Sequence, residues 1–108
     1  MSYKTQHTIV IKSSHPKGWE DFFVRLFWKE PSMVNPAMKI YQMIKIGEFN
    51  KKTREDIMKE LGITYGQYYY ILRCLKGLGL IRKDASEYRT SNDFAERLRR
   101  LIEYVAEE

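Results

Sequence analysis

The chain has 108 residues, of which 44% are hydrophobic, and a formal net charge of +5 at pH 7. This length fits one domain with its own core, and the apolar fraction argues against wholesale disorder. No apolar run approaches the roughly 20 residues that cross a bilayer, and the N-terminal segment lacks the pattern of a signal peptide. We therefore expect a cytoplasmic protein without a membrane partner.

Residue types that carry metals or catalysis are scarce. Cys74 is the single cysteine, and His7 and His15 have no partners at zinc-ligand spacing. We expect no metal and no cofactor, with Cys74 an inert, partly buried thiol rather than a redox sensor. The sequence has no GxSxG, HExxH, P-loop or dinucleotide-binding glycine motif, so we predict that the protein is not an enzyme.

The N-terminal part combines a polar stretch with an aromatic helix. Residues 1–15 are predicted to be a polar tail or a short strand around residues 8–12. Residues 16–34 contain GWEDFFVRLFWKE (18–30), whose apolar residues have helical spacing. Val24 and Trp28 lie off the main apolar stripe, so the helix is apolar on more than one side. It is therefore wedged deep in the fold, packed on a second subunit, or part of a ligand pocket.

Three elements are expected before the central turn. Asn35 and Pro36 predict a helix start, with Asn35 as the N-cap and the helix ending near Gly47. A strand of about three residues is expected around Phe49. Thr53 then opens the short helix REDIMKEL in the manner of a capping box.

A sharp turn follows between two short helices. The helix after Thr53 stops at Gly62, and the sequence from Thr64 to Gln67 is a capping box that starts the next helix. Two helix ends this close are typical of a helix-turn-helix. Residues 80–83 and 88–90 are predicted strands around a polar turn at 84–87, and a last helix occupies residues 92–108. The predicted fold class is mainly α (α+β), a winged helix-turn-helix over residues 35–91 with an extra N-terminal helix and a C-terminal helix.

The residues in this order resemble a known group of proteins. In LGITYGQYYYILRCLKGLGLI, Leu72 and Leu75 face inward, and Gly79 precedes two aliphatic residues. With YRTSNDFAERLRRL, this segment resembles small winged-helix regulators of the MarR, ArsR and PadR kind, over residues 36 to about 100. The resemblance implies a homodimeric transcriptional regulator that binds double-stranded DNA sequence-specifically and associates with the nucleoid when bound. The helix 64–78 would then lie in the major groove.

A helical wheel divides the residues of the helix 64–78. Tyr68 joins the core stripe, whereas Tyr69 and Tyr70 point outward. In the resembled family, outward positions near the start of this helix contact bases. Here those positions are Tyr65, Gly66, Gln67, Tyr69, Tyr70 and Arg73. Gln pairs bidentately with adenine and Arg with guanine. The alternative is that the tyrosines pack against the N-terminal helix or a partner chain.

Charge is concentrated in the middle of the chain. Residues 51–83 hold eight Lys and Arg against three acidic residues, whereas residues 92–108 hold three against five. A basic segment of this kind is typical of a polyanion-binding surface. The predicted DNA-backbone contacts are Lys51, Lys52, Arg54, Thr64, Lys76, Arg82, Lys83 and Arg89. Asp84 and Glu87 leave open that the hairpin is only a solvated surface.

Two apolar surfaces favour a homodimer, namely the N-terminal helix and the seam of the last helix. The predicted dimerisation residues are Trp19, Phe23, Phe27, Trp28, Phe94, Leu98, Leu101, Ile102 and Val105. The alternative is that the last helix packs on its own domain. Two other functions also remain open: a winged-helix protein-interaction module, and a non-specific architectural or segregation DNA-binding protein.

Overall fold

The computed structural model describes residues 18–107, which form an α+β fold that is mainly helical. The helices are α1 (Trp19–Leu26), α2 (Val34–Ile46), α3 (Arg54–Leu61), α4 (Tyr65–Leu78) and α5 (Asp93–Glu107). One antiparallel hairpin consists of β1 (Ile81–Asp84) and β2 (Glu87–Thr90), and short 3-10 helices occupy Pro31–Met33 and Phe49–Lys51. The predicted tail or strand within residues 1–15, with His7 and His15, lies outside the described residues.

One hydrophobic core joins α1 to the other helices. Phe23, Leu26 and Phe27 are buried together with apolar residues of α2 and α4. Val24 and Trp28 are exposed, so α1 is wedged into the fold by one side and open on the other. The helix is shorter than the predicted 18–30, because the chain leaves helical geometry at Phe27 and the turn that follows is closed by backbone hydrogen bonds.

The start of α2 differs from the prediction. The helix begins at Val34, directly after the 3-10 turn Pro31–Met33, so Asn35 lies inside it and its assignment as the N-cap was wrong. Pro36 occupies the third helical position. Proline is tolerated there because the first four N–H groups of a helix have no partner within it.

The strand expected around Phe49 was also wrong, since this segment is the 3-10 helix Phe49–Lys51. The side chain of Asn50 lies beside β2 instead. Its Nδ2 donates to the Tyr88 carbonyl oxygen at 2.9 Å, and its Oδ1 accepts from the Tyr88 N–H at 2.9 Å. Asn50 therefore satisfies both backbone groups of Tyr88, as a neighbouring strand would.

We predict that Asn50→Ala lowers the free energy of unfolding by about 1–2 kcal/mol, because two hydrogen bonds to Tyr88 are lost. Denaturant unfolding followed by circular dichroism measures the change. Gln42→Ala, at an exposed position of α2, is the control and should change stability by less than about 0.5 kcal/mol. Equal effects of the two substitutions would show that Asn50 does not hold β2.

The turn between α3 and α4 has the caps that the sequence predicts. Thr53 Oγ1 accepts from the Asp56 N–H at 3.1 Å, and α3 ends at Gly62. Thr64 Oγ1 accepts from the Gln67 N–H at 3.2 Å, while Gln67 Oε1 accepts from the Thr64 N–H at 2.9 Å. This reciprocal pair is a complete capping box. The predicted boundaries of both helices are therefore confirmed.

The hairpin turn is tighter than the predicted 84–87. Asp84 pairs with Glu87, which leaves a turn of two residues, 85 and 86. Side chains alternate between the faces of a strand, so Lys83 lies on the same face as the buried Ile81. Arg82 pairs with Arg89 and lies on the opposite face.

A close joint connects the end of α4 to the start of α5. The Phe94 N–H donates to the Gly79 carbonyl oxygen at 3.1 Å. The Arg97 guanidinium donates to the carbonyl oxygens of Gly77 and Leu78 at 3.1 and 3.2 Å. These carbonyls lie in the last turn of α4, where a positive charge is favourable. We call this set of contacts the α4–α5 joint.

The predicted dimerisation residues fall into two groups. Phe23 and Phe27 are 1% and 0% exposed, and the Phe94 ring packs edge-to-face on Phe22 with centroids 5.6 Å apart. These three side chains belong to the protomer's own core, so their assignment to a dimer surface is corrected. In the other group, Leu98 is half-buried and the following residues are exposed: Trp19, Trp28, Leu101, Ile102 and Val105.

Candidate nucleic-acid interface

One side of α4 faces away from the core along the whole helix. Tyr65, Tyr69, Arg73 and Lys76 recur every three or four residues, so their side chains lie along one ridge. Tyr65 is 56% exposed, Arg73 and Lys76 are exposed, and Tyr69 is half-buried. Together with Arg54 of α3, we call these residues the Tyr-Arg face.

The opposite side of α4 is buried as predicted. Tyr68 lies in the core and stacks on Phe49, with ring centroids 6.2 Å apart. Burial raises the pKa of Tyr68 to about 12. Cys74 is buried on this helix as well. The core side therefore fixes the rotation of α4 about its axis, and with it the direction of the Tyr-Arg face.

Arg54 is held against two tyrosines of α4. Its guanidinium carbon lies 4.9 Å from the Tyr65 ring centroid and 6.0 Å from that of Tyr69, within cation–π range. Nη1 donates to the Tyr69 hydroxyl oxygen at 3.1 Å, and Nη2 donates to the Glu55 carboxylate at 2.9 Å. These two hydrogen bonds raise the pKa of Arg54 above its ordinary value, and the bond to Tyr69 has the larger effect. The cation is thus positioned by α4 although it belongs to α3.

Gln67 does not have the free amide that base pairing would need. Its Oε1 accepts the Thr64 N–H in the capping box. A bidentate pair with adenine uses both the oxygen and the nitrogen of the amide, so that pair is blocked while the cap is intact. The Thr64 hydroxyl is likewise engaged, since it accepts from the Gln67 N–H. We therefore remove Gln67 from the base-contacting set.

Tyr70 also departs from its predicted place. Its ring packs edge-to-face on Phe27 with centroids 6.0 Å apart, and the residue is half-buried. The alternative that tyrosines pack against the N-terminal helix is therefore correct for Tyr70. A helical wheel assumes one buried side, whereas α1 covers a second side of α4. Gly66, in contrast, has open space around its Cα, with no atom within 4 Å of an added Cβ.

Two cations directly precede α3, and both are paired with carboxylates. Lys51 lies 3.7 Å from Glu48, and Lys52 Nζ donates to Glu60 at 2.9 Å. This hydrogen bond raises the pKa of Lys52. Such exposed pairs contribute little to stability and can exchange partners.

The hairpin cations are paired in the same way. Arg82 contacts Asp84 at 3.1 Å, and Arg89 lies 3.9 Å from Asp84 and 3.5 Å from Glu87. Lys83 Nζ lies 5.4 Å from the centroid of the Tyr88 ring. The acidic residues therefore reduce the positive potential of the hairpin, as the sequence left open.

Five of the eight predicted backbone contacts fall on two surfaces rather than one. Arg54 and Lys76 belong to the Tyr-Arg face. Lys51, Arg82 and Arg89 line a shallow groove of about 700 Å³ between the end of α2 and β2, together with other residues of both elements. The first surface therefore combines exposed aromatic rings with cations, while the second combines cations with their acidic partners.

A family model matches nearly the whole of this architecture. Residues 19–106 match a family described as an archaeal family. The chain belongs to this archaeal family. The match runs from the first residue of α1 into the last turn of α5, so the matched range includes every helix and strand described above. No curated protein and no solved structure gives a match.

Between residues 18 and 107, no helix combines the length and the hydrophobicity needed to cross a bilayer. Over the same described range, no three His, Cys, Asp or Glu side chains are grouped so that they could hold a metal ion.

Proposed function

We propose that this chain is a winged helix-turn-helix protein that binds a specific sequence in double-stranded DNA as a homodimer, and that it regulates transcription. The order of α3, tight turn, α4 and hairpin supports this fold assignment. In such a fold α4 enters the major groove and the hairpin is the wing. Bound to DNA, the protein would be associated with the nucleoid.

The Tyr-Arg face is the observation that carries the proposal. Arg73 can form a bidentate pair with guanine, and the exposed ring of Tyr65 can lie against a thymine methyl group. Gly66 leaves room for a close approach of the duplex, because nothing beyond its own helix backbone lies within 4 Å of a Cβ added there. These residues lie on the side of α4 that the core leaves open.

Arg54 supplies the complementary backbone contact. Its present anionic partner is Glu55, whose pKa is lowered by a hydrogen bond from its own backbone N–H and by Arg54. A DNA phosphate, like this carboxylate, shares one negative charge between two oxygens that can accept guanidinium N–H groups. We propose that a DNA phosphate replaces Glu55 on Arg54 while Tyr65 and Tyr69 keep the guanidinium in place.

The same observations support one second candidate. Exposed tyrosine rings are common in protein interfaces, and most of the predicted phosphate-binding cations pair with carboxylates of this chain. The Tyr-Arg face would then contact a protein partner. Weak salt dependence of binding would favour this function over DNA binding.

Selection of bound molecules from random duplex DNA tests the proposal directly. We expect a consensus site, and on that site Arg73→Ala should cost about 1–3 kcal/mol of binding free energy, because one base-specific pair is lost. On random duplex DNA the same substitution should have a smaller effect. Fluorescence anisotropy titrations on both duplexes measure the difference.

Lys51→Ala is the matched control for this prediction. Lys51 can contact phosphates but no base edge, so its loss should weaken binding to both duplexes alike. Equal losses on both duplexes for Arg73→Ala would contradict base contact. A specific-to-random affinity ratio near one would instead indicate an architectural DNA-binding protein.

A further inference from the structure

The second half of α5 has an apolar side that nothing in the described chain covers. All residues from 99 to 106 are exposed. Leu101 is 43% exposed, and Ile102 and Val105 are each 67% exposed. With the half-buried Leu98, they recur at the spacing of one helical stripe. We call Leu98, Leu101, Ile102 and Val105 the α5 seam.

A helix of this kind is not stable alone in water. The seam lies beyond the α4–α5 joint, and isolated helical segments shorter than about 12–15 residues are marginal. Aliphatic side chains that line up on an exposed helix mark a protein contact. The seam therefore requires an apolar partner of similar shape.

The charges of α5 identify that partner as a second copy. Residues 97–100 include three arginines, whereas residues 103–108 include three glutamates and no cation. When two such helices lie antiparallel, the basic segment of each lies level with the acidic segment of the other, and the helix dipoles oppose. In a parallel pair, like charges would lie side by side.

We propose that the α5 seam pairs with the α5 seam of a second copy in antiparallel orientation. The centre of the pair lies between Leu101 and Ile102, so Leu98 opposes the partner's Val105. Arg99, which pairs with Glu96 of its own helix, and Glu103 both lie more than 90° around the helix from the centre of the seam. This inference identifies the surface of the proposed homodimer, and it holds or fails independently of DNA binding.

Sedimentation equilibrium of the full chain without DNA tests the seam. We expect a dimer for the natural sequence, and a dissociation constant at least about thirtyfold higher for Ile102→Asp, the effect of a central interface residue. Tyr104→Asp is the matched control, since Tyr104 is 71% exposed on the same helix. It lies about 100° around the helix from Val105 and thus outside the seam.

Circular dichroism of both variants must show the native helix signal of the body. The proposal is overturned if the natural sequence is monomeric, or if Ile102→Asp and Tyr104→Asp change the dimer equally. Loss of DNA binding with an intact dimer would contradict the proposed function and leave the seam in place. DNA binding by a chain that remains monomeric would contradict the pairing of the seam and leave the proposed DNA binding in place.

Cysteine cross-linking tests the orientation. Chains with Leu98→Cys and chains with Val105→Cys are mixed and oxidised, and the natural sequence serves as the control because Cys74 is 2% exposed. An antiparallel pair brings residue 98 next to the partner's residue 105, so we expect the mixed cross-link to predominate. Predominant 98–98 and 105–105 cross-links would show a parallel pair and overturn the proposal.

Discussion

Replacing Gly79 with alanine should lower the free energy of unfolding by about 2–5 kcal/mol. Gly79 has φ +90, a left-handed conformation that costs an L-residue about 1–2 kcal/mol. An added Cβ would also lie 2.8 Å from Asp93 Cβ and 2.9 Å from the Phe94 nitrogen. Relieving this overlap requires a backbone shift at the α4–α5 joint, and overpacking of this kind costs about 1–3 kcal/mol.

Gly47 provides the control, because it ends α2 in the same conformation without the close neighbour. Its φ is +82, and no atom lies within 4 Å of an added Cβ. Gly47→Ala should therefore cost only the conformational part, about 1–2 kcal/mol. Denaturant unfolding of both variants separates the two contributions. If the two substitutions lower the free energy of unfolding equally, the contact between Gly79 and α5 is looser than the structure shows.

DNA affinity should fall about 10³–10⁵-fold between 50 and 200 mM salt, if each dimer neutralises roughly six to ten phosphates. Two copies of the paired lysines and arginines around α3, α4 and the hairpin supply that number of cations. Titration of one labelled duplex at several salt concentrations gives the slope. Lys76→Ala, on the Tyr-Arg face, should reduce the slope by about two per dimer, since one cation is lost from each copy.

Glu20→Gln is a suitable control for the salt series, because Glu20 is exposed on α1 and belongs to neither the Tyr-Arg face nor the α5 seam. It should leave the slope unchanged. A nearly salt-independent affinity would contradict phosphate contact and favour the protein-interaction candidate. A nearly salt-independent affinity would also contradict the proposed replacement of Glu55 by a DNA phosphate on Arg54.

Local signals in the sequence predicted the centre of the fold well. The caps Thr53 and Thr64 and the stop at Gly62 are set by hydrogen bonds within a few residues, and the structure confirms them. Periodicity likewise placed Tyr68 in the core, whereas Tyr69, which was placed outward, is half-buried against it. Both kinds of signal depend only on residues within one or two turns.

Contacts between distant segments account for the predictions that failed. Asn50 pairs with Tyr88, 38 residues later, and no local pattern indicates that a side chain replaces a strand there. Tyr70 was placed outward because the wheel contains no information about α1, which covers it through Phe27. Periodicity identifies an apolar side but not its partner, so buried residues of α1 were assigned to a dimer surface.

The role of Arg97 could not be predicted for the same reason. Its guanidinium contacts carbonyl oxygens about 20 residues earlier, and an arginine on a helix is ordinarily a solvated charge. The pairing of Arg54 with Tyr65 and Tyr69 also joins two helices. Arg54 lies on a different helix from Tyr65 and Tyr69, so helical periodicity cannot predict that they meet. The turn between α3 and α4 brings the three side chains together.

The α4–α5 joint has a geometric consequence for a paired molecule. Because Phe94 and Arg97 bind the last turn of α4 directly, the direction in which α5 leaves the body is set by α4 itself. In two copies joined through α5, the distance between the two α4 helices would then be fixed. Such a molecule would accept half-sites at one separation only and would reject a target lengthened by a few base pairs, even with every base contact preserved.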